Sequence, residues 1–286
     1  MTSTKFERVT RPHGVAELAA AAQTHDGIAP LSEAFINGLT DPRLGHEHIV
    51  GTQDGEIVAV AAIDGNTVEM FVVPEARRAG IGGDLYGQLP EGSQVWAHGN
   101  LPGARALAAS KGLESVRHLV VMGIGEDELS AAKVNTGLRV LNLEEAAELY
   151  GRDAVERAWL EANNEAFDWH PEQGGWDLER LHRGMEAEWF DPQDVWFLYE
   201  GDTLAGFHWT KWHGDGVGEV YVIGLATEFR GRGLGAPLLA VGLQGLKNKG
   251  ARKVILYVEA DNEPAVKSYK NAGFSVEEDH VVWARP

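Results

Sequence analysis

The run VGEVYVIGLA (217–226) crowds β-branched and aromatic residues into a strand pattern, and the pattern breaks at RGRGLG (230–235). Beyond the break, Leu238, Leu239, Gly242, Leu243 and Leu246 recur at helical spacing. Lys247 and Lys249 fall in the last turn, where they complement the helix dipole, and Gly250 closes it. KVILYVEA (253–260) predicts another strand. In DNEPAVKSYKNAGF (261–274), Asn262 is placed to cap a helix, Pro264 suits its first turn and Gly273 ends it. DHVVWA (279–284) predicts a final strand.

The first half repeats this order: a strand in TVEMFVVP (67–74), a glycine loop, a short helix, a strand in SQVWAHG (93–99), a helix in NLPGARALAASKGL (100–113) and a closing strand in VRHLVVMGI (116–124). Arg-x-x-Gly-x-Gly occurs in both halves, as Arg77, Gly80 and Gly82 and as Arg230, Gly233 and Gly235. The spacing 230 − 77 = 153 is close to half of 286 residues, which points to a duplicated unit. GEDELSAAKVNTG (125–137) is polar and unpatterned and reads as a linker, after which GLRVLNL (137–143) begins the second unit. Two α/β domains of similar size follow, 1–134 and 135–286.

Composition narrows the classes. Hydrophobic residues make up 44% of the chain, yet no apolar run reaches the length of a membrane span, and MTSTKFERVTRPHG has no signal-peptide core, so a cytoplasmic protein is expected. There is no cysteine, which removes disulfides, thiolate metal sites and cysteine nucleophiles. The balance of 25 basic and 43 acidic residues, −18, has the wrong sign for nucleic acid or anionic lipid. A small cationic or polyhydroxylated substrate suits that field better, although acidity alone also serves solubility.

A strand that feeds a glycine loop and then a helix aims backbone N–H groups and the positive end of a dipole at one spot, an anion site that a phosphate can approach closely. A nucleotide P-loop needs Gly-Lys-Ser/Thr at its end, which neither copy has. A dinucleotide fingerprint needs a third glycine, where Pro237 intrudes, and an acidic residue about twenty positions on, where KNKGARK stands instead. A turn that merely joins strand to helix accounts for one such loop but poorly for two in matching contexts.

The loop resembles the acyl-CoA pyrophosphate loop of the GNAT acetyltransferases, and the helix carrying Asn262 and Tyr269 and ending NAGF is similar to the element that completes their CoA site. The resemblance implies, for each domain, a mixed, mostly antiparallel sheet flanked by helices. HPEQGGW (170–176), EAEWFDP (186–192), LAGFHWTK (204–211), GEVYV (218–222) and LYVEADNEPAV (256–266) further resemble the tandem-GNAT family of mycothiol synthases, as do DGIAPLSEAF (26–35) and WAHG (96–99) in the first half. That family acetylates the cysteinyl amine of desacetylmycothiol (cysteinyl-glucosaminyl-inositol).

The resemblance implies acetyl-CoA as cosubstrate, one per domain, and no metal. In the second domain it would lie along Ile223, Gly224 and Leu225, with its pyrophosphate on Arg230, Gly231, Arg232, Gly233, Leu234, Gly235 and Ala236. Further contacts are expected from Asn262, Glu263, Pro264, Ala265, Val266 and Lys267. In the first domain, Met70, Phe71 and Val72 with Arg78, Ala79, Gly80, Ile81, Gly82 and Gly83 look like a second acetyl-CoA site, with Arg-Ala-Gly at 78–80 in place of a more basic run. Acceptor contacts would be Glu33, Glu172, Lys211, Glu219 and Tyr257. Glu219 and Tyr269 match the family's base and acid. The protein is expected to act as a monomer on this small molecule.

The residues themselves fit that chemistry. An α-amino group titrates near ~8, so Glu219 need only hold the amine and take its proton. A backbone N–H near Leu225 is placed for a carbonyl oxygen. A tyrosine of ordinary pKa about 10 can protonate a thiolate whose own pKa is about 8.5. Aligning Arg230 on Arg77 puts Asn66 at the place of Glu219, and aligning Gly273 on Gly112 puts Ala108 at the place of Tyr269. The first domain is therefore expected to bind without catalysing. Eight of nine Trp fall at or after 159, better suited to a larger core than to a sugar cleft, and His170, His208 and His213 lack metal-ligand spacing. Other amines (an aminoglycoside or a peptide N-terminus) and a non-enzymatic acyl-CoA sensor remain as alternatives. Glu219 and Tyr269 argue against the sensor.

Overall fold

The computed structural model describes residues 3–168 and 173–286. Two compact units divide it: Met1–Val120 with Glu278–Pro286, and Val121–Glu277.

In the first unit, β1 (Lys5–Val9) leads to helices α1 (Val15–Asp26) and α2 (Glu33–Gly38). The meander β2 (Glu47–Gln53), β3 (Glu56–Asp64) and β4 (Thr67–Val72) follows, then α3 (Ile81–Tyr86), β5 (Gln94–Ala97) and α4 (Pro102–Lys111). Strands β1 to β4 pair antiparallel in chain order, and β5 joins β4 in parallel. Alternation along β2–β4 presents Val50, Val60 and Ala62 to Val15, Ala22 and Phe35 of α1 and α2. The opposite face presents Ala59, Ala61 and Val68 to Ile81 and Leu85 of α3.

Strand β6 (Glu114–Ile124) carries the chain across, with Glu114–Val120 in the first unit. The second unit continues with α5 (Glu126–Ala131), β7 (Arg139–Asn142), α6 (Leu143–Tyr150), α7 (Arg152–Ala166) and α8 (Leu178–Met185). Then come β8 (Val195–Glu200), β9 (Thr203–Gly214), β10 (Val217–Leu225), α9 (Gly235–Asn248), β11 (Lys253–Glu259) and α10 (Glu263–Asn271), and the chain ends in β12 (Ser275–Ala284), which belongs to the first unit from Glu278 on. β7 to β10 form an antiparallel meander, and β11 joins β10 in parallel. Trp159, Phe197, Phe207 and Trp209 fill one face of this sheet, and Leu198, Ala205, Leu238 and Val241 the other.

Two glycines on α9 explain how closely that helix lies. A Cβ at Gly242 would fall 2.2 Å from the His208 ring, and one at Gly245 would fall 2.8 Å from Trp196. His208 is fully buried, its Nδ1 is 3.1 Å from the Leu238 carbonyl, and loss of hydration pushes it down to about 4. It is a neutral core residue.

The structure departs from the sequence reading in two places here. The segment read as a linker contains α5, because Leu129, 1% exposed, anchors it within the second unit. The compact units also do not follow the 134/135 boundary. The last strand of the chain, β12, pairs antiparallel with β5 through Val281–Trp283, while β6 neighbours β11. Capping follows the sequence closely: Asn262 Oδ1 accepts from the Ala265 N–H, Pro264 sits in the first turn of α10, and Gly273 takes φ +97° after its end. Among the described residues no helix is long and apolar enough to cross a membrane.

Candidate active site

The site in the second unit begins with an interrupted ladder. β10 pairs with β11 only from Val217–Lys253 to Val220–Leu256, whereas its pairing with β9 continues to Leu225–Gly206. The cause is a bulge: Val220 faces Thr210 and Val222 faces Trp209, so Tyr221 is an extra residue that turns the strand away from β11. Ile223, Gly224 and Leu225 therefore pair on one side only. Gly224 has no room for a side chain, since a Cβ would meet Ala166 at 2.8 Å and Phe207 at 2.9 Å.

The glycine loop lies just beyond. Gly231 and Gly233 take φ +72° and +76°, alternating left-handed positions that turn successive N–H groups toward one point. Gly235, the first residue of α9, has an ordinary φ and nothing within 4 Å of where a Cβ would sit. Neither backbone strain nor packing asks for glycine there, whereas the close approach of an anion does. The cradle thus fits a pyrophosphate. Arg230 does not point into it: its Nε donates to the Leu225 carbonyl at 3.4 Å and its Nη2 to the Glu165 carbonyl, which ties the loop to the strand end. Arg232 pairs with Glu200. Leu234 precedes the helix and Ala236 lies on its first turn. Glu263 to Lys267 form the first turns of α10.

Glu219 sits one residue before the split, 7% exposed, directly opposite Lys211 of β9, and its Oε2 is 2.6 Å from His213 Nε2. Lys211 Nζ lies 4.8 Å over the Trp189 ring, and Trp189 packs edge-on against Tyr221. Tyr257 on β11 is half exposed. Tyr269 on α10 packs edge-on against Phe274, and desolvation pushes its phenol up to about 12, so it remains protonated at every working pH. Glu33 opens α2 on the surface of the first unit. Glu172 and His170 lie outside the described residues. Of the tryptophans, Trp159 and Trp209 are core, as expected, while Trp189 lies beside Lys211.

The first unit repeats the split. β4 and β5 pair only from Thr67–Gln94 to Glu69–Trp96, while β4 follows β3 to Val72–Ala59. Beyond the split is a cavity of about 640 Å³ whose walls include Met70, Phe71 and Val72, the loop Arg78 with Gly80 to Gly83, and Ala108. Arg78 and Gly80 take φ +64° and +86°. Arg77 repeats the tie of Arg230: its Nε donates to the Val72 carbonyl at 2.9 Å and its guanidinium grips Asp26 through two 2.7 Å bonds, which hold that carboxyl below its ordinary range.

The expected place of Asn66 needs correction. Asn66 lies in the turn before β4, because the bulged residue in β10 breaks the constant spacing of 153, and Thr67 holds the sheet position of Glu219. Two residues on, Glu69 is 2% exposed, 2.9 Å from His98 Nε2, and accepts the Ser32 N–H at 2.6 Å. The sequence reading missed this carboxylate–imidazole pair. Among the described residues no group of three or more His, Asp or Glu is arranged to hold a metal.

Residues 153–274 match the Acetyltransferase (GNAT) family. A mycothiol acetyltransferase of Corynebacterium aurimucosum is 55% identical over 99% of this chain and 98% of its own. The crystal structure of a GCN5-related N-acetyltransferase from Sphaerobacter thermophilus superposes with a TM-score of 0.72 at 26% identity, covering 98% of this chain and 96% of that one. A tandem GNAT protein from the clavulanic acid biosynthesis pathway shares the fold at a TM-score of 0.63 and 18% identity, over 98% of each chain. With two such units in one polypeptide, the chain belongs to the mycothiol acetyltransferase family of tandem GNAT proteins.

Proposed function

We propose that this protein transfers the acetyl group of acetyl-CoA to the cysteinyl amine of desacetylmycothiol in its second unit, giving mycothiol and CoA, and that it does so as a monomer. The observation that carries the reading is the split between β10 and β11, with Glu219 at its base and an anion cradle at its open end. Membership of the family supports the choice of acceptor.

Acetyl-CoA supplies the activated acyl group. Gly231 to Gly235 hold its pyrophosphate by backbone N–H groups, and the one-sided edge Ile223–Leu225 offers hydrogen bonds to the pantetheine arm. A backbone N–H near Leu225 polarises the carbonyl. Glu219 accepts the proton of the attacking amine, Lys211 and Tyr257 flank the acceptor, and the Tyr269 hydroxyl gives a proton to the departing sulfur. The first unit holds a second acetyl-CoA against Met70–Val72 and Gly80–Gly83 without turning it over. Its Glu69 accepts the Ser32 N–H on one oxygen, and its other oxygen lies 2.9 Å from His98 Nε2.

Thiol release from acetyl-CoA, measured with desacetylmycothiol and with a panel of aminoglycosides and N-terminal peptides, tests the acceptor. Desacetylmycothiol should exceed every other amine in kcat/KM by at least about a hundredfold, because a site built to hydrogen-bond one acceptor rejects analogues that lack its polar groups by that much or more. Equal rates across the panel refute the assignment.

A further inference from the structure

Glu219 is engaged by a residue that no family string contains. The ladder between β9 and β10 slips a second time, between the pairs Gly218–Trp212 and Val217–Gly214, so that His213 is the extra residue of its own bulge. Bulges re-aim side chains, and this one brings His213 Nε2 to 2.6 Å from Glu219 Oε2. Glu219 thus sits between two bulges: the one at Tyr221 opens the cleft ahead of it, and the one at His213 backs its carboxylate. The carboxylate side chain is 9% exposed and the imidazole 34%, so the pair runs from the buried base of the cleft to solvent. The other charges around it are Lys211, directly across from Glu219, and, at the turn, Asp215 with Arg252 donating to its carbonyl. Lys253 starts the neighbouring strand and is paired with Glu277.

We propose that Glu219 and His213 work as one unit, with His213 a positioning residue that fixes the carboxylate and carries its proton to water. This rests on the reading of Glu219 as the base. The balance is simple: the amine N–H proton passes to Glu219, from Glu219 to the unprotonated Nε2 of His213, and from Nδ1 of that ring to solvent, after which the ring regains its starting tautomer by exchanging protons with water. No other reactant is needed. A carboxylate with one oxygen held by an imidazole presents the other to the amine in a fixed orientation, and it is cleared after each turnover without waiting for water to enter the cleft.

The experiment uses the full chain with acetyl-CoA and desacetylmycothiol and compares His213→Ala, His213→Gln and Glu219→Gln. Both His213 variants should lose about tenfold in kcat, less than the roughly hundredfold low end for a group that itself takes the substrate proton, with the KM for acetyl-CoA unchanged. The acidic limb of the pH–rate profile should move, and added imidazole should restore His213→Ala severalfold but not His213→Gln. A histidine that merely packs would give neither the pH shift nor the rescue. If Glu219→Gln is inactive while both His213 variants keep wild-type kcat and ignore imidazole, the pairing is wrong and Glu219 acts alone. If Glu219→Gln itself keeps wild-type kcat, the reading of Glu219 as base falls, and this inference with it.

Discussion

The two glycine loops have the same backbone and different residues in it. Where the second unit uses Gly231 at φ +72°, the first holds Arg78 at φ +64°, and Gly80 and Gly233 match at +86° and +76°. A left-handed conformation costs a residue with a Cβ about 1–2 kcal/mol, so the first unit keeps its cradle against a local penalty. Both loops are tied down alike, by an arginine from the loop to the carbonyl at the end of the preceding strand. The elements that face the acyl end differ. Ala108 stands at the helix position of Tyr269 and Thr67 at the strand position of Glu219, while the buried carboxylate of the first unit, Glu69, lies two residues further on, beside His98, and accepts from Ser32. On the proposed function, cradle geometry and proton-transfer chemistry are therefore separable: the second unit would combine them, and the first would keep only the cradle, with Glu69 accepting from its own chain at Ser32.

The sharpest test of that contrast is a matched pair, Gly235→Val and Gly82→Val. Both positions have ordinary φ and room for a side chain, Gly82 meeting only a Val72 methyl at 3.7 Å, so neither change strains the backbone as a substitution at Gly80 or Gly233 would. Calorimetry should count one fewer CoA site in each variant. Gly235→Val should lose at least about a hundredfold in acetyl transfer through lost anion approach, while Gly82→Val keeps most of kcat. Equal inactivation of two folded variants would break the comparison.

Tyr269→Phe should lower kcat by about ten- to a thousandfold with acetyl-CoA affinity nearly kept, as for a lost proton donor. Its phenol is raised to about 12, so the protonated form persists as pH rises, and the wild-type profile should show no alkaline loss from this group below about pH 11. Unchanged kcat in Tyr269→Phe would remove the residue from the mechanism.

The smallest effect is expected for Arg78→Gly, which relieves the left-handed position. Thermal unfolding should show a gain no larger than about 1 kcal/mol, because glycine also gains freedom in the unfolded chain. A clear loss would mean that the arginine side chain, rather than the backbone, shapes the first loop.

Features that depend on neighbours in sequence were legible in it. The glycine loops, the Asn262 cap with Pro264, the Gly273 stop and the helical stripe of α9 are all set by residues within a turn or two. Features that depend on an extra residue in a ladder were not. The bulge at Tyr221 displaced the expected counterpart of Glu219 by one position, onto Asn66 in a turn, and the bulge at His213 hid the contact with Glu219. A signal for the latter exists in HGDGVGE (213–219), where Gly214 and Gly216, both at positive φ, fold the chain back within a few residues. The helix at 126–131 escaped because a single buried leucine, Leu129, holds an otherwise polar stretch.

The placement of β12 has a consequence for how the chain is made. The first unit is discontinuous: it needs Glu278–Pro286, which leave the ribosome only after the second unit, to cover β5. Its sheet therefore stays without β12, with the edge of β5 open, until the whole second unit has emerged. No single cut can separate two self-sufficient halves. A fragment ending at 134 would carry an unpaired edge into solution, whereas a circular permutant that joins residues 278–286 ahead of β1 would let the first unit close early, with its completion no longer waiting for the second unit.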